Sequence, residues 1–540
     1  MPWPETSPAV GGLAVLVCMT LVACSRDTPA VAEVLREHPA QALRWSSIPA
    51  ATAVSDPDAS GPVLRITVPA GPAGSGTSVQ QDVMGRAIAL HAGRQEVTRP
   101  LDLDGLRGWR VELTARLRYA GIPRPPAPWE GVRLGVDFTT PLGDFGAGYN
   151  GLWGDSPWRE VRFRLRIPAD ATDARLAVGL IATTGTLWLD EVRLTRIEAP
   201  LADQVVAGWT PPPTGRRGVR LGNAGGGAIA RVARDWGANI VKLVVALPAP
   251  DQPPAAYQAA LDRALDAFAG ELAEVEAAGV TAILQVAIPA AWSDPTLGGT
   301  HRVYLEPALA ERFVASWRRI ASRFHGRPGI WGYDLLNETV LRVPPAAGCP
   351  DWEGLAERTA QAINAIDPAV RILVQPEEWW GMRAFEKLRP INARNVVYSP
   401  HMYAPFALTH QGVRSRSSEG HRYPGLIDGT RWDKQRLRQA LQSARNFQLA
   451  HRVPMQVGEF SCIRWAPDGS AARWLADCTT LFEEYGWDYT YHAACDWDGW
   501  SVEMGEDPAD QRILLAPGPA KRVLLERFAR NRTDAAGAGP

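Results

Sequence analysis

A change of hydrophobic period near residue 200 divides this chain in two and limits what each part can fold into. Before it, apolar and polar residues alternate with period two. Val161, Phe163, Leu165 and Ile167 interleave with Arg162, Arg164 and Arg166, and Val111, Leu113, Ala115 and Leu117 interleave with Glu112, Thr114 and Arg116. Such runs are strands with one face in a core and the other in water. Similar runs recur at 63–68, 132–138, 175–181 and 186–194, and no helical stretch interrupts them. Several strands separated by turn residues predict an all-β jelly-roll sandwich over residues 40–199.

Residues 200–214, with Pro211, Pro212 and Pro213, read as a stiff linker. Beyond it, short apolar runs alternate with amphipathic helices. Strands are expected at 218–222, 240–247, 281–287, 330–336, 371–374, 396–399, 455–458 and 488–492, and helices most clearly at 255–278, 307–324 and 352–366. Eight βα units over residues 215–530 predict an α/β TIM (β/α)8 barrel, so the chain is multidomain. A doubly wound sheet would want a phosphate loop. Gly222-Asn-Ala-Gly-Gly-Gly227 lacks both the Lys-Ser/Thr pair and the GxGxxG spacing, and reads as a barrel loop. Residues 531–540 read as a disordered tail.

The N-terminus points to export. Val10 to Ala23 is apolar, too short to span a membrane comfortably and the right length for a signal sequence. It ends in Leu21-Val22-Ala23-Cys24, which resembles a bacterial lipobox, although Met1 to Ala9 carries Glu5 and no Lys or Arg. Residues 1–24 are therefore read as a lipoprotein signal peptide with Cys24 as the lipidated residue. Ser25, where an Asp would mark retention, is similar to the pattern of lipoproteins sorted to the outer membrane, so the expected location is the bacterial outer membrane through a lipid anchor. The remaining cysteines, Cys349, Cys462, Cys478 and Cys495, have no CxxC spacing and are either disulfide partners or buried thiols. With 57 Lys+Arg against 58 Asp+Glu, the chain has no basic excess for nucleic acid. A monomer is expected.

In a TIM barrel the chemistry collects at the C-terminal ends of the strands. The fourth strand ends Tyr333-Asp-Leu-Leu-Asn-Glu338 and the seventh ends Gln456-Val-Gly-Glu-Phe460. Strands four and seven face each other across the barrel mouth, so Glu338 and Glu459 can converge. A converging carboxylate pair is the equipment of glycoside hydrolysis: one group protonates the departing oxygen, and the other attacks the anomeric carbon or activates water to do so. The 21 Trp residues suit surfaces that stack on sugar rings, and equally suit large cores.

Four motifs resemble glycoside hydrolase family 5, the cellulase family of the retaining clan. Ile330-Trp-Gly-Tyr-Asp-Leu-Leu-Asn-Glu338 is similar to its fourth-strand signature, and Val457-Gly-Glu-Phe460 to its nucleophile strand. Arg217-Gly-Val-Arg-Leu-Gly-Asn223 resembles its opening strand, and Pro400-His-Met-Tyr403 its sixth. The resemblance implies Glu338 as general acid/base and Glu459 as nucleophile of a retaining enzyme acting on a polysaccharide or oligosaccharide of β-glucan or β-mannan type. In that scheme Asn337 would bond the sugar 2-hydroxyl, Tyr403 would donate to the nucleophile, and His401 would lie near the acid/base or the sugar. The stretch Gly185 to Leu194 resembles the last strand of jelly-roll carbohydrate-binding modules.

The chain departs from the family on three strands. Lys242 stands on the second, where the family has an Arg bracing the nucleophile. The third, Ile283 to Pro289, lacks the usual His. His492 on the eighth stands near the usual stacking Trp, a platform that Trp497 or Trp500 would supply instead. Trp292, Trp379 and Trp380 follow strand ends and are further stacking candidates, and His410 is a candidate subsite residue. No cofactor is called for, and His401, His410 and His421 fit no familiar metal-ligand spacing. A non-catalytic glycan-binding lipoprotein, and a transglycosylase using the same carboxylates, are the alternatives.

Overall fold

The computed structural model describes residues 32–531, apart from 42–44, 47, 60, 70–76, 82–86, 92, 126–129, 142, 206–207, 223–226, 378–381, 414–419 and 495. The leader with Cys24, Trp379, Trp380 and Cys495 lie outside the described residues. Among the described residues no helix is long and apolar enough to cross a membrane.

The period-two region folds into two antiparallel sheets. In one, the order is Gly154–Arg166, Arg110–Ile122, Gly185–Glu198, Val63–Val68 and Ala51–Val54, with Ala32–Glu37 also paired to Gly185–Glu198. In the other, it is Arg94–Pro100, Asp173–Ile181, Gly131–Thr140 and Gly143–Leu152. Val111, Leu113 and Leu117 from the first sheet and Leu134, Val136, Leu176 and Val178 from the second share one core. Burying each such side chain contributes about 1.5–3 kcal/mol, which is why the alternation sets the register. The opposite positions of the first sheet are tied by ion pairs such as Arg164–Glu112 at 3.0 Å and Arg193–Glu160 at 2.6 Å.

The segment read as a stiff linker packs onto the barrel at both of its ends. Leu201–Gln204 forms a helical turn, and Leu201 is buried in the barrel's core. Thr214 Oγ1 donates to the carbonyl of Trp487 at 3.0 Å. The two domains meet elsewhere too. Arg110 reaches across to Glu353 at 2.6 Å and to the Lys387 carbonyl at 2.9 Å, while Val343 of the barrel is buried in the β-rich domain's core.

The second domain is a (β/α)8 barrel. Its parallel strands are Arg217–Arg220, Ile240–Ala246, Thr281–Ala287, Ile330–Asp334, Arg371–Val374, Val396–Tyr398, Gln456–Val457 and Asp488–Tyr491, and the first pairs with both the second and the eighth. Strands six and seven close the ring through a Tyr398–Met455 bridge and the parallel pair His401–Met402 and Glu459–Phe460. Pro254–Ala277 and Pro307–Phe324 bury apolar stripes (Leu261, Leu265, Phe268 and Leu272; Phe313, Trp317, Ile320 and Phe324) against the outside of the sheet.

Packing accounts for a good part of the tryptophan content. Trp292, Trp317, Trp352, Trp474 and Trp487 are fully buried. Where the strand ladder stops at the C-terminal rim, carbonyls lose their sheet partners, and indole N–H groups take over: Trp317 donates to the Leu335 carbonyl at 3.0 Å, Trp352 to that of Gln375 at 2.8 Å and Trp474 to that of Ala404 at 2.9 Å. Trp292, expected as a stacking platform, is one of these struts. It is completely buried, with its N–H on the Pro248 carbonyl at 2.7 Å, and offers no face to a ligand.

The assigned tail begins one residue too early. Asn531 is buried against the start of the barrel, donating from Nδ2 to the carbonyls of Arg217 and Gly237 at 3.0 and 2.9 Å and accepting from Arg217 Nη1 at 3.2 Å. Asn531→Ala strands buried backbone carbonyls and is expected to destabilise the protein by about 1–3 kcal/mol, read as a lowered thermal midpoint.

Candidate active site

The barrel lumen is built in layers. At its N-terminal end Ile240, Ile283, Trp331, Leu373 and Val397 form a separate apolar plug, one residue from each of strands two to six. Two residues further along four of these strands the lumen turns polar: Lys242, Gln285, Gln375 and Ser399. A register shift between strands three and four, where Ala282 pairs with Ile330 but Ile283 with Gly332, brings Asp334 into the same layer. Asp334 accepts from Lys242 Nζ at 2.9 Å, Gln285 Nε2 at 3.1 Å and Gln375 Nε2 at 2.9 Å, with no solvent access to the pair it makes with Lys242. A buried charge pair is tolerated when its remaining lone pairs and protons are taken up, as here.

This layer carries the residues above it. Gln375 Oε1 accepts the backbone N–H of Glu338 at 2.9 Å, and Gln285 Nε2 donates to Asn337 Oδ1 at 2.8 Å. Glu338 sits in the left-handed backbone region (φ 46°), a strained conformation for a residue with a side chain, and the hydrogen bond its N–H donates to Gln375 holds it there. The Nδ2 group of Asn337 has no partner among the described residues and is left as a free donor beside Glu338.

Glu338 and Glu459 converge. His401 Nδ1 lies 2.9 Å from Glu338 Oε1 and 3.7 Å from Glu459 Oε2, and one oxygen from each carboxylate and one His401 nitrogen all lie within 4.8 Å of one another. Glu338 keeps partial access to solvent, while Glu459 is only 3 % exposed. Tyr403 donates to Glu459 Oε2 at 2.9 Å, Arg220 Nη1 donates to Oε1 at 3.1 Å, and His492 Nδ1 is 3.1 Å from Oε2. Burial alone would raise the pKa of Glu459, but the charges of His492, His401 and Arg220 outweigh it and hold the group well below the usual carboxylate range. Burial, with Glu459 and Glu338 nearby, pushes the Tyr403 hydroxyl far up, so it remains a donor. The donor set Glu338, His401 and Glu459 is compact enough for a cation. Arg220 and His492 already stand against Glu459, however, so a further cation would meet like charge.

The other expected residues fall into three groups. Trp500 is 8 % exposed and leans on Tyr403 and His492, with ring centroids 5.8 and 6.2 Å away, so it backs the site. Trp497 is 41 % exposed. His410 stacks on Phe406 at 3.6 Å between centroids and meets Trp500 edge-on, one layer behind Tyr403. Lys242 does not brace Glu459: it is completely buried and committed to Asp334. The brace is Arg220, on strand one. Period-two counting would have found it, because Val219 and Leu221 face the helices and so turn Gly218 and Arg220 into the lumen. Cys349, Cys462 and Cys478 are free thiols, the last two buried.

The profile of the Cellulase family (glycosyl hydrolase family 5) matches residues 213–504, more than half of the chain. The chain belongs to glycoside hydrolase family 5. Its barrel is that of a glycoside hydrolase, an enzyme class that cleaves glycosidic bonds. Endoglucanase C of Acetivibrio thermocellus is 27% identical over 213 residues, 34% of this chain and 60% of the relative, so the chain spans about three fifths of the length of that curated relative. An endoglucanase of Paenibacillus polymyxa is 29% identical over 129 residues, covering 21% of this chain and 32% of its own length. Among solved structures, Cel5A of Thermotoga maritima with mannotriose is similar at 22% identity and a TM-score of 0.45, covering 58% of this chain and 97% of that one.

The two cations of the lumen are expected to fail differently. Lys242→Met leaves Asp334 buried without its counter-ion and costs about 3–5 kcal/mol of stability, read by denaturation. Arg220→Met removes a donor from the Glu459 carboxylate and is expected to lower kcat per folded molecule by roughly 10²-fold.

Proposed function

We propose that this protein is a retaining hydrolase of β-glycosidic bonds in a polysaccharide of β-glucan type, with Glu338 as general acid/base and Glu459 as nucleophile. The observation that carries this reading is the approach of the two carboxylates to within 4.8 Å. Retaining enzymes hold the pair about 5–5.5 Å apart, whereas inverting ones need about 6.5–9.5 Å to admit water between them. The endoglucanase relatives support a glucan backbone.

The environments suit the roles. Glu459 is held as an anion by Arg220, Tyr403 and His492, the state in which it attacks the anomeric carbon. Glu338, reached by solvent and hydrogen-bonded to His401, gives its proton to the glycosidic oxygen as that bond breaks, and the aglycone leaves as an alcohol. A covalent bond forms between Glu459 and the anomeric carbon. Glu338, now a carboxylate, then takes a proton from water as the water oxygen attacks the same carbon and releases Glu459, giving net retention. The free Nδ2 donor of Asn337 stands next to the acid/base, where a bond to the 2-hydroxyl would strengthen in the transition state.

For the N-terminal domain we propose a jelly-roll sandwich of the carbohydrate-binding-module kind. Counting Val63–Val68, Arg94–Pro100, Arg110–Ile122, Gly131–Thr140, Gly143–Leu152, Gly154–Arg166, Asp173–Ile181 and Gly185–Glu198 as strands one to eight, the sheets read one-eight-three-six and two-seven-four-five, the order expected of two interleaved Greek keys. We also propose export and lipidation at Cys24, on the strength of the lipobox-like Leu21-Val22-Ala23-Cys24.

Glu459→Gln and Glu338→Gln are each expected to lower turnover by about 10³-fold or more with the fold intact, since each removes one partner of the double displacement. Wild-type activity in either variant overturns the assignment. Azide is expected to rescue Glu459→Gly on an activated aryl β-glycoside and to give the α-glycosyl azide. A panel of soluble β-glucans and β-mannans, read by reducing ends and product length, decides the backbone, with β-glucan the expected substrate.

A further inference from the structure

Three ionisable side chains, His492, Arg220 and Asp496, group with the nucleophile in an arrangement that its motif does not require. His492 lies between two carboxylates, with Nδ1 3.1 Å from Glu459 Oε2 and Nε2 3.2 Å from Asp496 Oδ2. Arg220 spans the same two groups from the other side, Nη1 to Glu459 Oε1 at 3.1 Å and Nε to Asp496 Oδ2 at 3.3 Å. When His492 is protonated, two cations alternate with two anions; when it is neutral, its Nε2 can accept from Arg220 Nη1 at 2.8 Å. All four lie at the bottom of the site: the side chains of Arg220, His492 and Asp496 are 18 %, 13 % and 14 % exposed and that of Glu459 4 %. With His492 protonated the group is neutral, and with it neutral the group carries one net negative charge, which burial disfavours.

The first strand is shaped for this arrangement. A Cβ at Gly222 would sit 1.7 Å from Asp496 Oδ1, so only glycine lets the carboxylate approach. The ring of His492 is also placed unlike a sugar platform. Its Nδ1 is 2.6 Å from the Tyr403 hydroxyl, its Nε2 is 2.8 Å from Arg220 Nη1, and Trp500 lies along it.

We infer that His492 and Asp496 are positioning residues for the nucleophile: Asp496 holds His492 against Glu459, and His492 with Arg220 fixes the carboxylate in line with the anomeric carbon. The inference rests on Glu459 being the nucleophile. It assigns to the eighth strand and its loop the bracing that Lys242, committed to Asp334, does not provide. The groups facing His492 are Glu459 from strand seven, Tyr403 from the loop after strand six, Arg220 from strand one and Asp496 from its own loop, with His401 and Glu338 beyond Glu459. Burial alone would lower the pKa of His492; Glu459 and Asp496 outweigh it and raise the pKa above its usual value. Rising pH therefore withdraws one of the two cations from Glu459, and removing Asp496 makes that loss begin at lower pH.

The test uses the full chain and Asp496→Asn, Asp496→Glu and His492→Gln. Asp496→Asn is expected to lower kcat by roughly 10–100-fold, the scale of a small misplacement of a reacting group, with KM changed less than about threefold, and to move the alkaline limb of kcat to lower pH. Asp496→Glu is expected to restore part of kcat and the position of the limb. His492→Gln is expected to lose the His492-dependent limb altogether. Unchanged kcat and an unmoved limb in Asp496→Asn overturn the inference, as does a rise in KM alone in His492→Gln, which would make His492 a sugar contact. Should Asp496→Asn not fold, the limb in His492→Gln decides. Dinitrophenyl 2-deoxy-2-fluoro-β-cellobioside separates this from the parent reading. Glu459 displaces dinitrophenolate and stays esterified, and peptide mass analysis locates the ester. Absence of the ester on Glu459 in the wild type counts against the nucleophile itself, whereas an ester there with normal kinetics in Asp496→Asn defeats only the present inference.

Discussion

A carboxylate taken out of water has to be compensated on the spot, and the arrangement around Glu459 follows from that constraint. An isolated buried anion would take up a proton. Here Arg220, Tyr403 and His492 converge on its two oxygens, and Asp496 balances the cations behind them. None of these donors comes from the seventh strand. They come from strands one and eight and the loop after strand six, so the ionised state of one side chain depends on the closure of the whole barrel.

The same logic operates one layer down. Asp334 is buried as deeply as any group in the lumen and is met by Lys242, Gln285 and Gln375. The amides of this layer do a second job: Gln375 holds the strained backbone at Glu338, and Gln285 orients Asn337. A polar core layer of this kind is costly when half satisfied and rigid when complete. It is how the position of Glu338 is tied to the interior of the barrel.

The β-rich domain is joined to this frame, not tethered to it. Arg110 binds Glu353 at the start of the helix that follows strand four, Val343 from the preceding loop is buried in the β-rich core, and the intervening segment packs through Leu201. The loop that leaves Glu338 therefore runs directly into the domain contact.

Much of this was legible in the chain. Strands such as Val63–Val68 and Thr281–Ala287 and the helix Pro307–Phe324 lie where the periodicity put them, because burial of one face dictates period two or 3.6 locally. The placement of Glu338 and Glu459 at strand ends was likewise written in motifs that follow apolar runs. The partners of those residues were not. Lys242 and Arg220 are both cations on lumen-facing positions of neighbouring strands, and the register and the layer each reaches decide which meets Asp334 and which meets Glu459. Trp292 looks like a platform in sequence and is a strut in space, because an indole N–H goes wherever an orphaned carbonyl needs it. The sequence determined the two domains, the barrel and the pair of carboxylates, since those depend on local pattern. Only the tertiary structure decided which charges share the lumen with them, since contacts between strands hundreds of residues apart are fixed by barrel closure and by the cost of leaving a buried charge alone.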